Sequence, residues 1–578
     1  MTDSTSLSGG DILAQTLKEA GVDQVFALHG GHLEALLKGC LTRDIALLDF
    51  RHESAAGHAA DAYARITGKL GVCAITSGPG FTNGVSAMAN AKLDGSPVLF
   101  IVGAPPVREV ETNALQGGID QVALARPATK WAISVPTTER MADLAAMAIR
   151  KAMTHPRGPV LLEVPIDVLH MSVPAERATR PTGVNVQPRT APAPESVQAL
   201  ADLLLAAKRP VVIAGNEAAN PATAQALQAF TAAHAVPVFT KSLAAGVLPP
   251  THSHACGPAP GLAALPAIGV ERPDLVLLLG GRMGMLLGGR SGAVVPHAAQ
   301  LVQVHSDAGE IGRIRDVQLA IAAQADETLK ALTAELARRQ QTAGHADWLA
   351  QARRVNGLFA QQFPEAESAS GIHPLHAARV VAEAAGPDAL YVFDGGESAS
   401  WASAITPVNT PASLLTHGYL GCLGIGPGFA IGGQIACPGR RVVHLTGDGA
   451  LGFHIQDFDT MVRHGLPILN VVLNNQVWGM SIHGQQIMYG EDYHAISKLG
   501  GTHYANIAQG FGMHSERVTR FADLEGAVAR ALAHQGPSFI EVMTAADVVH
   551  PVTVSMLGQV PAGSKDVLIP YYENIVVG

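Results

Sequence analysis

The stretch Val442–Met480 constrains the fold of this 578-residue chain more than any other. It reads VVHLTGDGALGFHIQDFDTMVRHGLPILNVVLNNQVWGM. A short apolar run ends just before Asp448, a second apolar run ends just before the asparagine pair that closes with Asn475, and a helix-like segment lies between the two runs. Strand, turn, helix and strand in this order are typical of the βαβ unit of a parallel sheet. The stretch therefore predicts an α/β protein.

The same stretch carries residues suited to a metal ion and a phosphate. The carboxyl ends of parallel strands meet at one edge of a sheet, where ligands bind, so Asp448 and Asn475 are expected to lie close together. A carboxylate and an amide oxygen are hard ligands of the kind that Mg²⁺ prefers. Gly449 allows backbone N–H groups to approach a phosphate closely, beside the start of a helix. The alternative is a surface turn followed by an unrelated polar pair.

The composition narrows the class of protein. Hydrophobic residues make up 48% of the chain and charged residues 15%, which is typical of a large, well-buried enzyme and not of a disordered chain. The net charge of −9 and the lack of a basic block argue against a nucleic-acid partner. No apolar run reaches about 18 residues, so no membrane association is expected. Five scattered cysteines without a CxxC pair indicate a reducing compartment, and a cytoplasmic location is predicted.

Strand and helix patterns alternate along the chain and predict three α/β domains, each a mostly parallel sheet flanked by helices. The predicted strands are residues 25–28, 45–49, 71–76, 98–102 and 160–164, then 210–214, 236–240, 275–279 and 301–305, then 389–393, 442–445, 468–473 and 538–542. The predicted divisions are a first domain (1–175), a linker (176–195), a middle Rossmann-like domain (196–340), a connection (341–370), a third domain (371–550) and a tail that could close over a cleft (551–578). The first and third domains share one rhythm and are expected to be related structures. Asp11 is expected to cap a helix running to about Ala20, and the tail from Pro551 shows few helical signals.

Further motifs give the chain a family resemblance. They are FALHGGH, DFRHESAAGHAADAYAR, ALQGGIDQVA, ATKWA, PRGPVLLEVP, HGYLG, GDG and NNQVWG. With them the chain resembles, nearly end to end, the enzymes that depend on thiamine diphosphate (ThDP), and it is most similar to benzaldehyde lyase and the 2-hydroxyacyl-CoA lyases. The resemblance implies a pyrimidine-binding, a middle and a diphosphate-binding domain, with ThDP and Mg²⁺ as cofactors. Because the family binds ThDP between the first domain of one subunit and the third domain of another, it also implies a homodimer at least and a homotetramer as the fuller assembly.

The resemblance assigns residues around the cofactor. The metal ligands would be Asp448, Asn475 and the carbonyl oxygen of Val477. The remaining cofactor contacts would be Gly395, Ser398, Gly449 and Ala450 at the diphosphate, Gly421 and Leu423 at the aminopyrimidine ring, and Pro79 and Asn83 at the same ring from the other subunit. Leu423 would support the bend of the cofactor, although the sequence alone does not distinguish this role from that of an ordinary core leucine.

Glu53, in the sequence RHE, matches the family's carboxylic acid beside the pyrimidine ring, which activates the cofactor. The alternative is a solvated residue at the start of a helix, where glutamate is favoured. His32 and Gln116 match polar residues that face the reactive carbon in benzaldehyde lyase, and His417 is a third candidate. His32 would relay a proton and Gln116 would hydrogen-bond the substrate oxygen or a water. A purely structural histidine is the competing interpretation of His32, and HGGH lacks the further ligands of a metal site.

The residues expected to line the substrate pocket are Gly31, Ile166, Trp478, Met480 and Gly484. Three of them depart from benzaldehyde lyase. Ile166 stands where benzaldehyde lyase has a tryptophan, Met480 where it has an alanine, and Gly484 where it has a phenylalanine. These changes alter the pocket's volume and aromatic faces, which decide the group that fits. Met480 in WGM is similar to a methionine of acetolactate synthases.

Three hypotheses on function follow. The first is a ThDP- and Mg²⁺-dependent carbon–carbon lyase or carboligase that cleaves or forms 2-hydroxy ketones (acyloins), with 2-hydroxyacyl-CoA lyase as a variant. The second is an enzyme acting on 2-keto acids, of the acetolactate synthase or oxalyl-CoA decarboxylase type. The third is a nucleotide-binding or regulatory subunit without catalysis. The middle domain could hold FAD or an ADP- or CoA-type nucleotide in any of these.

Overall fold

The computed structural model describes residues 6–112, 115–178, 181, 183–184 and 187–556. By contact the chain forms two compact units. The first contains the residues up to Pro188 together with His417–Gly439 and Phe453–Ile468. The second contains Arg189–Thr416, Arg440–Gly452 and the residues from Leu469 onward. The first unit holds one six-stranded sheet and the second holds two.

The sheet of the first unit is parallel, in the order β3-β2-β4-β5-β7-β6, and a short antiparallel pair, β1 and β8, lies apart from it. The strands are β1 (Ser6–Ser8), β2 (Gln24–Ala27), β3 (Ala46–Asp49), β4 (Gly71–Ile75), β5 (Val98–Ala104), β6 (Trp131–Ser134), β7 (Val160–Pro165) and β8 (Ser172–Pro174). The helices are α1 (Gly9–Glu19), α2 (Glu34–Leu41), α3 (Glu53–Thr67), α4 (Pro79–Asp94), α5 (Gln121–Ala125), α6 (Met141–Met153) and α7 (Ile166–His170). All residues of β4 and β5 are buried, as expected for central strands covered by helices on both faces.

The start of α1 corrects the predicted cap. Ser8, not Asp11, is the N-cap residue, and its Oγ accepts the Asp11 backbone N–H at 3.1 Å. The Asp11 carboxylate accepts the Ser8 hydroxyl at 2.6 Å, which closes a capping box. Asp11 therefore lies inside the first turn, where a negative charge is favourable, and the helix ends at Glu19.

The first sheet of the second unit has the parallel order β11-β10-β9-β12-β13-β14. The strands are β9 (Pro210–Ala214), β10 (Val238–Thr240), β11 (Ala255–Pro258), β12 (Leu275–Leu279), β13 (Gln300–His305) and β14 (Leu319–Ala322). The helices are α8 (Pro194–Ala206), α9 (Pro221–Ala233) and α10 (Ala325–Arg338), followed by α11 (Ala346–Arg353) and α12 (Leu358–Gln361) in the connection. Numbered along the chain, this is the 3-2-1-4-5-6 order of a Rossmann sheet.

The second sheet of this unit has the parallel order β18-β17-β19-β20-β22-β21, and the pair β15 and β16 precedes it. The strands are β15 (Glu367–Ser368), β16 (Gly371–Ile372), β17 (Leu390–Asp394), β18 (Leu414–Thr416), β19 (Val442–Gly447), β20 (Ile468–Asn474), β21 (His514–Val518) and β22 (Ser538–Met543). The helices of this part of the chain are α13 (Pro374–Ala385), α14 (Glu397–Ile405), α15 (Gly426–Ala436), α16 (Asp448–Leu451), α17 (Phe458–Arg463), α18 (Gly479–Tyr489), α19 (Tyr504–Gly510), α20 (Phe521–Ala533) and α21 (Pro551–Met556). Of these, α15 and α17 belong to the first unit by contact.

The predicted architecture of three parallel α/β domains is confirmed. The first and third sheets have the same topology, because both place their strands in the order second, first, third, fourth, sixth, fifth along the chain. The helix-like segment predicted after Asp448 is broken into the short helices α16 and α17, with the exposed Phe453 between them. The predicted domain limits remain predictions, because the two units are groupings by contact and not by position along the chain.

Two further expectations concern the end of the chain and membranes. The first residues of the tail form α21, so the expectation of few helical signals there is wrong. Pro551 stands at the first position of this helix, where a backbone N–H would have no partner within the helix and its absence is tolerated. Residues 557–578, on which the closing role of the tail was predicted, lie outside the described residues. None of the described helices combines the length and the apolar character needed to cross a membrane.

Candidate cofactor site

In the first unit, predicted site residues gather where β3 and β4 end. Glu53 is the first residue of α3 and is only 8% exposed, so it is not a solvated helix-start residue. Asn83, in α4, donates its amide N–H to Glu53 Oε2 at 2.9 Å. A Cβ added at Gly80 would lie 3.5 Å from Glu53 Oε1, so the backbone of α4 approaches the carboxylate closely. Glu53, Asn83 and the neighbouring Pro79 are thus held together at one sheet edge.

His32 and Gln116 lie at the same strand end. His32 Nδ1 is 3.2 Å from Thr76 Oγ1, directly after β4, and burial lowers the pKa of His32. The next residue, Ser77, donates its hydroxyl to the Gln116 carbonyl oxygen at 2.6 Å. Gln116 itself has a φ of +54°, in the left-handed region that non-glycine residues rarely adopt. The structure therefore brings His32 and Gln116 together around the turn that leads into α4.

Gln121 is a residue of this edge that the sequence analysis did not single out. Its side chain is buried and accepts the Gly78 N–H at 2.9 Å. Its amide donates to the Gly103 carbonyl at 3.1 Å and to Glu163 Oε2 at 2.7 Å. Gln121 thereby connects the ends of β4, β5 and β7. Its only sequence signal is its place in the motif ALQGGIDQVA, directly after Asp120, which caps α5.

Two predicted pocket residues of the first unit lie in neighbouring elements. Gly31 begins a single helical turn, Gly31–Leu33, and a Cβ added there would meet no atom within 4 Å. Ile166 begins α7 immediately after β7, and α7 packs beside the Gly31–Leu33 turn. Open space at Gly31 and a branched aliphatic residue at Ile166 are compatible with a pocket wall that lacks the aromatic ring of benzaldehyde lyase.

The loop HGYLG lies along α3 at a distance from Glu53. The Tyr419 N–H donates to Asp94 Oδ1 at 3.2 Å, and a side chain at Gly418 would collide with the Asp94 carboxylate. Asp94 is paired with Arg65 at 2.9 Å, and both lie in the last turns of their helices. At 1.5 Å of rise per residue, these turns are about 17 Å from Glu53 and Asn83. Within one chain, His417 is therefore not brought to Glu53.

The rest of this loop approaches the middle of α3. Cys422 Sγ is 4.0 Å from His58 Nε2, and the Gly424 carbonyl accepts from His454 Nδ1 at 2.6 Å. Gly421 has a φ of +68°, which explains a glycine there, and Leu423 is half-buried. Burial lowers the pKa of His417 despite the nearby Asp94 carboxylate.

In the second unit, the ends of β17 and β19 form the predicted diphosphate loops. Gly395 follows β17 with a φ of +101°, and Ser398 lies in the first turn of α14. A Cβ added at Gly447, the last residue of β19, would lie 2.5 Å from Ser398 Oγ. Gly447 therefore has to lack a side chain so that the Ser398 hydroxyl can approach the strand end that precedes Asp448.

Asp448 is buried at this strand end. Its Oδ2 accepts the Gln476 N–H at 2.9 Å, and its carbonyl oxygen accepts the hydroxyl of Tyr504 at 3.1 Å. Burial raises the pKa of Asp448 to about 7, although backbone hydrogen bonds oppose the shift. A cation beside this carboxylate would offset the cost of its charge.

Asn475 and Val477 complete the candidate metal ligands in the same unit. Asn475 Oδ1 accepts the Val477 N–H at 3.2 Å, and Gln476, between them, is bonded to Asp448. One carboxylate, one amide oxygen and one carbonyl oxygen form a hard oxygen set that fits Mg²⁺, which typically takes its other ligands from phosphate and water. In the part of the chain that the structure describes, no group of three or more His, Cys, Asp or Glu side chains is arranged to hold a metal ion.

Trp478 gives Gly449 a second role. A Cβ added at Gly449 would come within 2.5 Å of the Trp478 ring, so the indole lies directly against the glycine backbone. Ala450 is buried beside it in α16. Met480, at the start of α18, packs against the backbone of Gly396, and Gly484 is buried one turn later. The predicted pocket residues of this unit thus border the diphosphate loops.

The middle sheet belongs to the domain in which a nucleotide is predicted to bind. The backbones of Gly215 and Gly281 touch, since a Cβ at Gly215 would lie 2.3 Å from Gly281 Cα. The Glu217 carboxylate accepts the Ser306 N–H at 2.9 Å and the Ser306 hydroxyl as well. The ends of β9, β12 and β13 are therefore joined to each other by direct contacts.

Comparison with known proteins agrees with this geometry. Residues 7–124 match the family model described as "Thiamine pyrophosphate enzyme, N-terminal TPP binding domain", residues 197–332 match the central domain, and residues 394–542 match the C-terminal TPP binding domain. The chain is 33% identical over 553 residues to a probable acetolactate synthase of Mycobacterium bovis, covering 94% of this chain and 97% of that protein. It is 30% identical to human 2-hydroxyacyl-CoA lyase 2, covering 89% of this chain and 85% of that protein. With all three domains matched and a full-length relative at this identity, the chain belongs to the thiamine diphosphate-dependent enzymes.

Proposed function

We propose that the protein is a ThDP- and Mg²⁺-dependent carbon–carbon lyase or carboligase that cleaves or forms 2-hydroxy ketones. The observation that carries the proposal is the convergence of Asp448, Asn475 and Val477 with the Gly395–Ser398 loop in one unit. A buried carboxylate whose pKa is raised to about 7 beside an amide and a carbonyl oxygen fits a divalent cation, and glycines at the start of a helix allow backbone N–H groups to approach a phosphate.

The residues of this chain take the following roles in the proposal. Asp448, Asn475 and the Val477 carbonyl hold Mg²⁺, while Gly395, Ser398, Gly449 and Ala450 contact the diphosphate. When bound, ThDP supplies a nucleophilic carbon that adds to a carbonyl group. Gly421, Leu423, Pro79 and Asn83 orient the aminopyrimidine ring.

Glu53 holds a proton beside the ring in this proposal. Its carboxylate is buried and is oriented by the Asn83 amide at 2.9 Å, so it keeps one geometry. His32 moves a proton at the substrate hydroxyl, and the lowered pKa keeps its imidazole neutral and able to accept one at neutral pH. Gln116 donates a hydrogen bond to the substrate oxygen, and His417 lies near the reactive carbon of the cofactor.

We also propose that the enzyme is a homodimer at minimum, with a homotetramer as the expected assembly. The support is the separation of about 17 Å between Glu53 and the residues that anchor the His417 loop within one chain. Because Glu53 and His417 are both assigned to the reactive end of one cofactor, this separation supports a site that a second chain completes. Light scattering of the purified protein tests this proposal, and a monomer that turns over substrate would contradict it.

Two variants of the reaction are supported by the relatives. One relative is named a 2-hydroxyacyl-CoA lyase and another a probable acetolactate synthase, and the identity to the latter is 33%. Met480 packed on Gly396 reduces the space next to the diphosphate loop, which favours a small acyl group and makes a 2-keto acid substrate the second candidate. FAD or another nucleotide in the middle domain remains a proposal, and the absorbance of the purified protein near 450 nm, about where flavins absorb, tests it.

A substrate panel with and without ThDP and Mg²⁺ decides among these reactions. The panel contains benzoin, an aliphatic acyloin, a 2-hydroxyacyl-CoA and pyruvate. We expect cofactor-dependent cleavage of a 2-hydroxy carbonyl compound to aldehyde. Release of CO₂ from pyruvate without acyloin cleavage would instead support the 2-keto acid reaction. Absence of ThDP binding would contradict both and favour a non-catalytic protein.

A further inference from the structure

A buried charged pair lies behind the diphosphate loop and has no place in the roles assigned above. Glu397 is the first residue of α14, directly after Gly395-Gly396, and is 7% exposed. Its Oε2 is 2.8 Å from Nδ1 of His483, which lies in α18 and is 2% exposed. Burial of two charges is costly unless their hydrogen bonds are complete, so such a pair requires an explanation.

The hydrogen bonds define the protonation of both groups. His483 Nε2 is 2.9 Å from the Ala546 carbonyl, which only accepts, so this nitrogen carries a proton. Glu397 Oε1 accepts the Thr553 hydroxyl and the His550 N–H, the latter at 3.4 Å, so this oxygen is an acceptor. One further proton lies between Nδ1 of His483 and Oε2 of Glu397, and when Nδ1 carries it the pair is an imidazolium with a carboxylate. Burial alone would lower the pKa of His483, but the hydrogen bond and charge of Glu397 outweigh it and raise this pKa.

The pair connects the segments that would surround the cofactor. A Cβ added at Gly479 would lie 3.1 Å from Glu397 Oε2 and 3.3 Å from the Asn475 amide nitrogen. The carboxylate therefore packs on the backbone that follows Asn475 and begins α18. Met480, the next residue, packs on Gly396 beside Glu397. A shift of Glu397 would move the candidate metal ligand and the pocket wall together.

The C-terminal helix is the third member of this arrangement. Thr553 lies in α21 and His550 precedes it, and both donate to the same oxygen of Glu397. The His550 ring also packs against Trp401 of α14, with ring centroids 4.3 Å apart. Helix α14 thus fixes α21 by a carboxylate at its first residue and an indole one turn later.

We propose that Glu397 and His483 are positioning residues that hold α18, with Asn475 and Met480, in register with the diphosphate loop, and that Thr553 makes the C-terminal helix part of the same device. The inference rests on the proposed function, because the segments it aligns are the candidate ligands of ThDP and Mg²⁺. It assigns no chemical step to the pair.

The test separates positioning from simple stabilisation by a Thr→Val change at two buried hydroxyls. Thr553→Val removes the donor to Glu397 while keeping the side-chain shape, and Thr553→Ser retains the hydroxyl. Thr328→Val is the matched control, because the Thr328 hydroxyl is buried and donates to the Gln324 carbonyl in the middle domain at 2.9 Å. The readouts are the melting temperature without cofactor and the ThDP dissociation constant with Mg²⁺ present, measured by the change in tryptophan emission.

We expect Thr553→Val to weaken ThDP binding about tenfold, since a buried hydrogen bond to a charged group contributes more than a neutral one. Thr553→Ser is expected to stay within about twofold of the unmodified protein, and Thr328→Val to lower the melting temperature without weakening ThDP binding. Wild-type affinity in Thr553→Val, with a melting temperature lowered as in Thr328→Val, would overturn the inference. If the unmodified protein itself fails to bind ThDP, the proposed function fails and the inference fails with it.

A second comparison tests whether the two charged residues act as one unit. We expect Glu397→Gln and His483→Gln each to weaken ThDP binding, and the double variant to be no weaker than the poorer single variant, because the second change removes an interaction already lost. Independent effects that multiply in the double variant would show that the residues do not act as a pair.

Discussion

The first and third sheets share one strand order but carry opposite chemistry at equivalent ends. After the first strand, the first sheet has HGGH with His32, whereas the third has Gly395-Gly396-Glu397-Ser398. After the third strand, the first sheet has Ser77-Gly78-Pro79, whereas the third has Asp448-Gly449. The same topology thus presents neutral polar groups in one case and a buried carboxylate in the other.

The shared topology brings the strand ends together in both sheets, and the side chains at those ends decide which ligand each sheet can bind. In the first sheet the acid, Glu53, is already bonded to the Asn83 amide. In the third sheet the acid, Asp448, has a pKa raised to about 7 by burial and is suited to a cation. We interpret the first edge as built for a neutral ring and the third for a charged diphosphate with its metal, in keeping with sites being grafted on folds.

The largest expected effect tests the candidate residues at the strand ends of the first sheet. Glu53→Gln keeps a side chain that can bond to Asn83 but loses the acid, so turnover is expected to fall by about a thousandfold, in the range for a lost acid or base. ThDP affinity and the melting temperature are expected to change little, as measured by tryptophan emission and thermal unfolding. Glu34→Gln, in an exposed pair with His29, is the control. Near-normal turnover of Glu53→Gln would contradict the different roles proposed for the acids of the first and third sheets.

The next effect tests the candidate metal ligand at the strand ends of the third sheet. Asp448→Asn removes the only carboxylate of the proposed ligand set, so binding of ThDP with Mg²⁺ is expected to weaken about a hundredfold. Without cofactor, we expect the substitution to have the opposite effect on the stability of the folded protein. Because the pKa of Asp448 is raised in the folded protein, its stabilising contribution is present below about pH 4 and is lost as the pH rises through 7. The cofactor-free variant should therefore melt at or above the wild-type temperature at pH 8.

A destabilised apoprotein of Asp448→Asn at pH 8, with unchanged cofactor affinity, would show that Asp448 is structural. The measurements are isothermal titration with ThDP and Mg²⁺ and thermal unfolding across pH 5–9, roughly spanning the pKa of Asp448.

A third effect concerns the pH dependence of stability at a buried sheet position outside the candidate cofactor site. His444 lies in β19, and its Nδ1 is 2.8 Å from Asn470 Oδ1. Burial lowers the pKa of His444 to about 4, so its contribution to stability is complete above about pH 6.5 and is lost as the pH falls towards 4. His444→Gln is expected to flatten the pH dependence of the free energy of urea unfolding by on the order of 3 kcal/mol between these limits. A profile identical to wild type would contradict this, and Gln is chosen because it retains a donor.

The smallest effect sharpens the role of Gly449. Gly449→Ala would force its Cβ against the Trp478 ring, so the indole has to move and ThDP binding is expected to weaken about tenfold. Gly439→Ala, where an added Cβ meets no atom within 4 Å, is the control and should bind ThDP as wild type does. Unchanged affinity in Gly449→Ala would show that the loop tolerates a side chain and that the indole contact is incidental.

The sequence predicted the central strands of each sheet better than the outermost strands. β4, β5, β12, β19 and β20 are mostly apolar, and the sequence predicts them nearly to the residue. The strands that were not anticipated, apart from the two short antiparallel pairs, are β6, β11, β14, β18 and β21, and each lies at the edge of its sheet. An edge strand has one neighbour and is often short or half-exposed, as in HSERV of β21, so its residues carry little apolar signal.

The candidate site divides in the same way. Asp448, Asn475 and Glu53 are candidates from the sequence alone, because they directly follow predicted strands or match a motif. Gln121, Glu397 and His483 were missed, because a buried amide or ion pair joins residues far apart in sequence and leaves no local pattern. His483 and Glu397, for example, are separated by 86 positions yet are 2.8 Å apart.

The sequence by itself determined the order of the central strands, the family and the residues that follow those strands, because these depend on local apolar patterns and short motifs. Only the tertiary structure decided which of those residues meet, which are buried and which hold each other in place. Burial and hydrogen bonding depend on neighbours brought from elsewhere in the chain, and that is why the raised pKa of Asp448 and the charged pair behind it were visible only in the fold.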